Sequence, residues 1–594
     1  MLLALLAPAA KSPAVDVSAH MSVATGVLWL GLACALGFFL VRPELWRRLW
    51  LERVDPRPAG LFRIVYGVVV LWTLLDLIPL LRFLFTDEGL WLPALARRNY
   101  GGELRRLWDP EHGFEHWWSV IPALWGKFSL FHLRADPTFV WAVFGLTCAS
   151  VTAMILGIRT RLATLLSWFL VNTFYTYSPI FYSGGDTVLR VFLFLGLLTR
   201  WGEAYSLDAW WRRKRELLAG SFVVPALRKI PAWPLRLMML QLAIIYCATG
   251  ALKSGFTWFD GTALFYALSL DHFYRHPFQI QVATFLHTIG FLPLSTWVTK
   301  LWETLFPLAL VGVALRRYER EVSAGTWPKV QVWRWLLSYA LVAAGVGTLA
   351  YVGGLTAYYY YRPAEGPVAL TREQAQAVVV TGALAFPALL AGAYVWLRAR
   401  RPRAHAWVLR WLCGKRLWLS IGLVMHLVID VAMNVGTFVQ VMLAVYIPWL
   451  SATELDAVWR TLMSRPLAEG EGARPKRKSG WRDALLRPLD RLRYRGPREP
   501  YVVHHAPDEA SIRRVALLRM WDLGSRLNFE TDPSAPAGTL VVTVPGDKTR
   551  LAGAAAGRAL VAILPGFWWL YPWCLAPGMR GLAGRTVLRT FELR

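Results

Sequence analysis

The chain has 594 residues, of which 56% are hydrophobic and 17% charged, with a mean hydropathy of +0.38. Soluble domains carry about 25% charged residues, so this composition excludes a string of ordinary soluble domains and gives most of the chain to lipid. The 65 Lys and Arg against 38 Asp and Glu leave a formal charge of +27; beside apolar runs that excess is the positive bias of cytoplasmic loops, and no nucleic-acid partner is expected.

In chain order, Met1–Ala10 is apolar like a signal peptide but has no basic start, and a longer run follows from Val23. It reads as a tail before a retained first helix. A bilayer crossing takes about 20 apolar residues. Ten runs are candidates: 23–41, 61–85, 138–157, 162–182, 187–201, 235–253, 298–315, 333–358, 376–397 and 417–449. The run at 187–201 is short and that at 417–449 is long.

Basic residues set the orientation. Arg42, Arg47, Arg48, Arg53 and Arg57 follow the first run, and Arg159 and Arg161 the third. Arg212, Arg213, Lys214 and Arg215 follow the fifth, and Arg398, Arg400, Arg401 and Arg403 the ninth. All fall on one side if the N-terminus is outside. The outer side then carries 86–137, 183–186, 254–297 and 359–375. Trp117-Trp118 through His132 and 256–291 alternate aromatic and polar residues, as interfacial helices or cavity-lining pieces do.

Residues 451–500 form a linker with a basic run at Arg474, Lys476, Arg477 and Lys478, which is either solvated or set against anionic headgroups. Residues 501–594 read as a small α/β domain: strands at 501–504, 527–529 and 539–544, a helix at 508–523, a turn at 545–547 and a helical tail from Ala552. Ten crossings from an outside N-terminus place this domain outside, whereas the basic linker argues for inside. The expected division is a first helix with its tail (1–54), a transmembrane domain (55–450), the linker (451–500) and the C-terminal domain (501–594).

Few residues carry chemistry. The five cysteines, Cys34, Cys148, Cys247, Cys413 and Cys574, form no Cys-x-x-Cys pair, so neither a thiol redox centre nor a zinc site is expected. Lys253 closes an apolar run and opens Lys253-Ser-Gly-Phe-Thr-Trp258. It either snorkels to the headgroups or, desolvated, serves as a base. Asp186 and Arg190 are four apart, so one helix face can hold them as a pair. Glu303, His287, His426 and Asp430 are further candidates for a polar cavity. His426 and Asp430, also four apart, read best as a hydrogen-bonded pair, and no metal site is expected.

Phe62-Arg63…Gly67, Gly184-Gly-Asp-x-x-Leu-Arg190, Ser206-Leu-Asp208, Tyr246-x-x-x-Gly250-x-x-Lys253-x-x-x-x-Trp258-x-x-Gly261 and Glu303 together resemble the HTTM membrane domain, that of vitamin K-dependent γ-carboxylase and its bacterial relatives, over roughly 55–450. The resemblance implies a multi-helix membrane fold, which with the ten apolar runs gives an all-α polytopic protein of about ten transmembrane helices in the cell membrane. It also implies an extracytoplasmic site in which Lys253 is the base toward reduced vitamin K or menaquinone, with Asp186, Arg190 and Glu303 shaping the cavity. A secreted peptide would be the further partner. Two positions depart from the carboxylases: Leu252 stands where they carry a second lysine, and Gly185-Asp186-Thr187 where they carry Asn-His-Ser. The alternative is a non-enzymatic protein that binds lipid or a secreted peptide.

Residues 501–594 resemble the DCC family of thioredoxin-like thiol–disulfide oxidoreductases, from the segments 501–528, 539–560 and 564–580. Where that family carries Asp-Cys-x-x-Cys this chain has His504-His-Ala-Pro-Asp-Glu-Ala-Ser511. Without a thiolate there is no exchange chemistry, so a degenerate scaffold or binding domain is expected.

Overall fold

In lipid every backbone N–H and C=O must be paired within the chain, so long apolar runs fold as helices. The computed structural model shows this over the described residues, which are 18–96, 98, 108–109, 113–114, 128–178, 183–221, 224–253, 255–360, 371–462, 500–522, 526–545, 549–576 and 578–591. The run at 1–10, Trp117-Trp118 and the basic run at 474–478 lie outside them. Seven described helices are long and apolar enough to cross a membrane, or nine if each of two sharply bent pairs is one span.

The long helices are α1 (Ser18–Val41), α2 (Arg57–Asp76), α3 (Pro137–Leu156), α4 (Thr160–Tyr177), α5 (Gly184–Leu198), α6 (Leu207–Glu216), α7 (Trp233–Leu252), α8 (Gln279–Thr288), α9 (Phe291–Leu305), α10 (Leu308–Ser323), α11 (Val332–Tyr360), α12 (Arg372–Arg400), α13 (Lys415–Ala432) and α14 (Phe438–Ala444). They divide between two compact units, Met1–Glu52 with Pro231–Asn434 and Arg53–Ile230 with Val435–Arg594.

In the first unit α11 packs between α1 and α12, and α7 against α9. Small residues set the close approaches, as is usual where lipid offers no hydrophobic drive: a Cβ on Gly31 of α1 would lie 2.7 Å from the Thr348 hydroxyl of α11. None of the apolar window of α12 is buried, a face for lipid rather than water. Polar ends are tied together: Glu52 pairs with Arg236 and Arg317, and Arg48 with Glu321.

In the second unit α2, α3, α4 and α5 pack in sequence, and α14 lies against α2 and α5. The 417–449 run, long for one crossing, is broken. α13 stops at Ala432, Met433 is extended, and Gly436 takes a φ of +56°, a conformation natural to glycine. After the break the Thr437 hydroxyl meets that of Thr73 at 2.7 Å, while Asp456 accepts from Arg57 at 2.6 Å. Thr73 and Arg57 sit at opposite ends of α2, about 24 Å apart at 1.5 Å per residue. Residues 437–456 therefore run back along α2 to its first turn.

The C-terminal module has strands β1 (Tyr501–His505), β2 (Leu527–Thr531), β3 (Leu540–Thr543) and β4 (Arg550–Leu551), with helices α15 (Glu509–Trp521), α16 (Gly553–Ile563) and α17 (Arg580–Thr590). The sheet order is β2-β1-β3-β4; β1 runs parallel to β2 and antiparallel to β3. Strand alternation buries Tyr501, Val503 and His505 on one side of β1. Its core includes Val503, Leu518, Val542, Leu560 and Val587, and also Leu217 from the turn after α6. Trp210 of α6 packs edge-on against Trp521, 5.8 Å between ring centroids. The module thus shares a core with the basic loop after α5. Leu217 and Trp210, from the segment that carries this loop's arginines, and the C-terminal module therefore lie together in this unit.

Candidate functional site

α7 ends at Lys253, which leaves helical geometry at ψ 61°; Gly255 (φ +122°) and Gly261 (φ +84°) then turn the chain. The partner arrives from α9, and Gly250 admits it: a Cβ there would lie 2.5 Å from Thr304 N and 2.9 Å from Glu303 Cβ. With the two helices this close, Lys253 Nζ donates to Glu303 Oε2 at 2.5 Å, and the Thr249 hydroxyl donates to the same oxygen at 3.1 Å. Nζ also stands 5.3 Å from the Trp258 ring centroid, within cation–π range. Glu303 is 7% exposed. In sequence beside Lys253, Leu252, Phe256 and Phe259 are each 78–81% exposed.

Below this pair Tyr246 packs on Trp302 (4.7 Å) and Phe306 (4.6 Å), with His426 6.1 Å away. The Tyr246…Gly250…Lys253 spacing therefore places one α7 face against α9: an aromatic contact, a close approach, then the ion pair.

Asp186 and Arg190 occupy the other unit. Asp186 closes the first turn of α5, accepting from Ser183 N at 2.7 Å, and receives the Tyr175 hydroxyl at 2.9 Å. Arg190 Nε donates to Asn172 Oδ1 at 2.7 Å, its guanidinium 5.9 Å from the Tyr175 ring centroid. Each is thus bonded to α4, and Tyr175 and Asn172 are polar residues that sequence reasoning missed; both sit within an apolar helical run. A Cβ on Gly185 would come within 3.0 Å of Phe438, so this glycine serves helix packing.

The remaining motif residues form a brace. Arg63 is fully buried and donates to the carbonyls of Trp201 (2.7 Å), Ala204 (3.2 Å) and Tyr205. Asp208 accepts the backbone N–H of Arg159 (2.9 Å) and Thr160 (2.8 Å) in the α3–α4 turn. Gly157 in that turn (φ +72°) leaves room for Ser206, since its Cβ would lie 2.2 Å from that of Ser206. Gly67 likewise admits Ile155. Phe62-Arg63, Gly67 and Ser206-Leu-Asp208 thus lock three segments together.

The other candidates have structural partners. His426 Nδ1 bonds the Gly422 carbonyl at 2.7 Å, and Asp430 faces Arg275 at 3.8 Å. The His287 ring lies tilted against Phe265, 5.0 Å between centroids. His504 reaches Thr543 at 2.9 Å, whereas His505 is buried on the opposite side of β1. Among the described residues no cluster of His, Cys, Asp and Glu could hold a metal ion. A pocket of about 310 Å³ is lined by residues that include Asp87, Phe131, Leu133, Arg134 and Asp136, and not by Lys253, Asp186, Arg190 or Glu303. No protein family, curated protein or solved structure matches the chain.

Proposed function

We propose that this is a multi-pass cell-membrane protein of the HTTM type that handles the proton of a lipid-soluble hydroquinone at the Lys253–Glu303 pair. The observation that carries this reading is an ammonium and a carboxylate in direct contact in a stretch of chain where Leu252, Phe256 and Phe259 are exposed. A proton can pass from Lys253 Nζ to Glu303, leaving a free amine and a carboxylic acid. The amine then takes the phenolic proton of the hydroquinone, and the ammonium so formed stabilises the quinol anion. Reduced vitamin K or menaquinone has the matching shape, a polar ring on an apolar tail. Asp186 and Arg190 are assigned to holding α5 on α4.

Two further assignments belong to this reading. The module's contact with Leu217 and Trp210 of the basic segment after α5 supports a cytoplasmic side for it. The β2-β1-β3-β4 order, with one parallel pair and a helix between β1 and β2, supports a thioredoxin-like origin for the module. Its β1–α15 junction holds no cysteine, so a scaffold role is assigned to it.

The test uses the full chain in lipid nanodiscs with vitamin K hydroquinone or menaquinol, oxygen and bicarbonate, following quinone epoxide by mass spectrometry. Epoxide from wild type and none from Lys253→Ala is expected. Equal background from both would leave the second reading, which the closed pair itself favours: Lys253 and Glu303 as a clasp between α7 and α9 in a non-enzymatic protein that binds lipid or a secreted peptide.

A further inference from the structure

The C-terminal module carries an aromatic face that its core does not use. Phe567 and Leu570 are buried, but Trp569, Tyr571, Trp573 and Leu575 between and beyond them are each 47–66% exposed. Such a contiguous run of large apolar side chains on a module that also has a complete core marks a docking surface. Its charge surroundings identify the occupant. Residues 549–591 contain five arginines and no carboxylate, whereas 501–547 hold six carboxylates against four arginines. Arg580 and Arg585, both exposed, follow directly after the aromatic run.

The position of the run agrees. Phe567 packs on Trp521 with ring centroids 4.8 Å apart, and Trp521 packs on Trp210 of α6. Gly566 seats this contact, since a Cβ there would lie 2.4 Å from the Trp521 ring. Trp210 follows the end of α5 at Leu198 by only twelve residues. Two ring contacts thus connect the aromatic run to a helix that leaves the apolar bundle. Trp and Tyr settle at headgroup depth, and arginines beside them pair with anionic lipid.

We propose that residues 569–585 dock the C-terminal module onto an anionic lipid surface, with Trp569, Tyr571 and Trp573 at headgroup depth and Arg580 and Arg585 on the lipid phosphates. The module is then held at two points, by Leu217 and Trp210 on its protein side and by this face on its lipid side.

The experiment uses the full chain, its five cysteines replaced by serine, with nitroxide labels at Trp569→Cys, Trp573→Cys and the exposed loop control Ala537→Cys. In nanodiscs containing phosphatidylglycerol, labels at 569 and 573 should collide several-fold more with oxygen than with an aqueous nickel chelate, and the label at 537 the reverse. Equal preference for the chelate at all three positions overturns the proposal. So does shielding from both reagents with spin–spin broadening, which assigns the face to a second copy of the chain. Should the cysteine-free chain not fold, hydroxyl-radical footprinting of the unaltered chain decides. Oxidation of Trp569 and Trp573 should fall several-fold from phosphatidylcholine to phosphatidylglycerol nanodiscs, and an unchanged rate overturns the proposal.

Discussion

Lys253 and Glu303 are fifty residues apart in sequence and meet at 2.5 Å, because a glycine one turn before the lysine lets the carboxylate's helix touch its own. The pair is charge-assisted and partly desolvated, so each charge depends on the other.

Removing one member exposes that dependence. Glu303→Gln should destabilise the chain by about 1 kcal/mol, the cost of leaving the half-buried Lys253 ammonium without its charged partner. The double variant Lys253→Met with Glu303→Leu should recover most of it. Thermal unfolding in nanodiscs measures both, and additive losses would show that the pair is not coupled.

Gly250→Ala tests the approach that makes the pair. Its new Cβ meets the backbone N of Thr304, which cannot swing aside as a flexible side chain can. Overpacking of this kind costs about 1–3 kcal/mol. A lowered Tm is expected, with loss of any Lys253-dependent hydroquinone chemistry.

The buried Arg63 brace should be the least tolerant position. Arg63→Lys keeps the charge but loses the planar fork that reaches several carbonyls at once. We expect a loss of at least about 3 kcal/mol, as for a broken buried charge network, read as a fall in the monodisperse fraction on size exclusion. Asp208→Ala should act in the same direction by freeing the α3–α4 turn.

The module's acid sensitivity should trace to Asp508, which caps α15. Hydrogen bonds from the Ser511 hydroxyl and backbone N–H hold its carboxyl below the usual carboxylate range. A depressed folded-state value means that the cap's contribution is complete above the ordinary Asp pKa of about 3.9 and disappears as pH falls through the lowered value. Hydrogen exchange across 509–521, corrected for intrinsic rate, should accelerate as pH falls below about 4. Asp508→Asn should flatten that dependence.

The helices were legible in the sequence because lipid imposes one rule on every apolar run, to pair its backbone internally. The starts and ends of α3, α7, α11 and α12 fall within a few residues of the apolar runs that announced them. The strands β1–β3 and α15 were also legible, since alternation and capping are local. Lys253 and Glu303 were each singled out as isolated charges at the edges of apolar segments.

Their meeting was a tertiary decision. Nothing in residues 250–253 states which helix Gly250 admits, and Asp186 and Arg190, equally prominent in sequence, turned to Tyr175 and Asn172 on α4. The break at 433–437 was hidden because apolar residues continue on both sides of it; the contacts of Thr437 with Thr73 and of Asp456 with Arg57 show residues 437–456 running along α2. Composition and period thus determine which segments lie in lipid and which fold locally. Which charge finds which partner, and which helix a broken segment packs along, depends on long-range packing that no local pattern encodes.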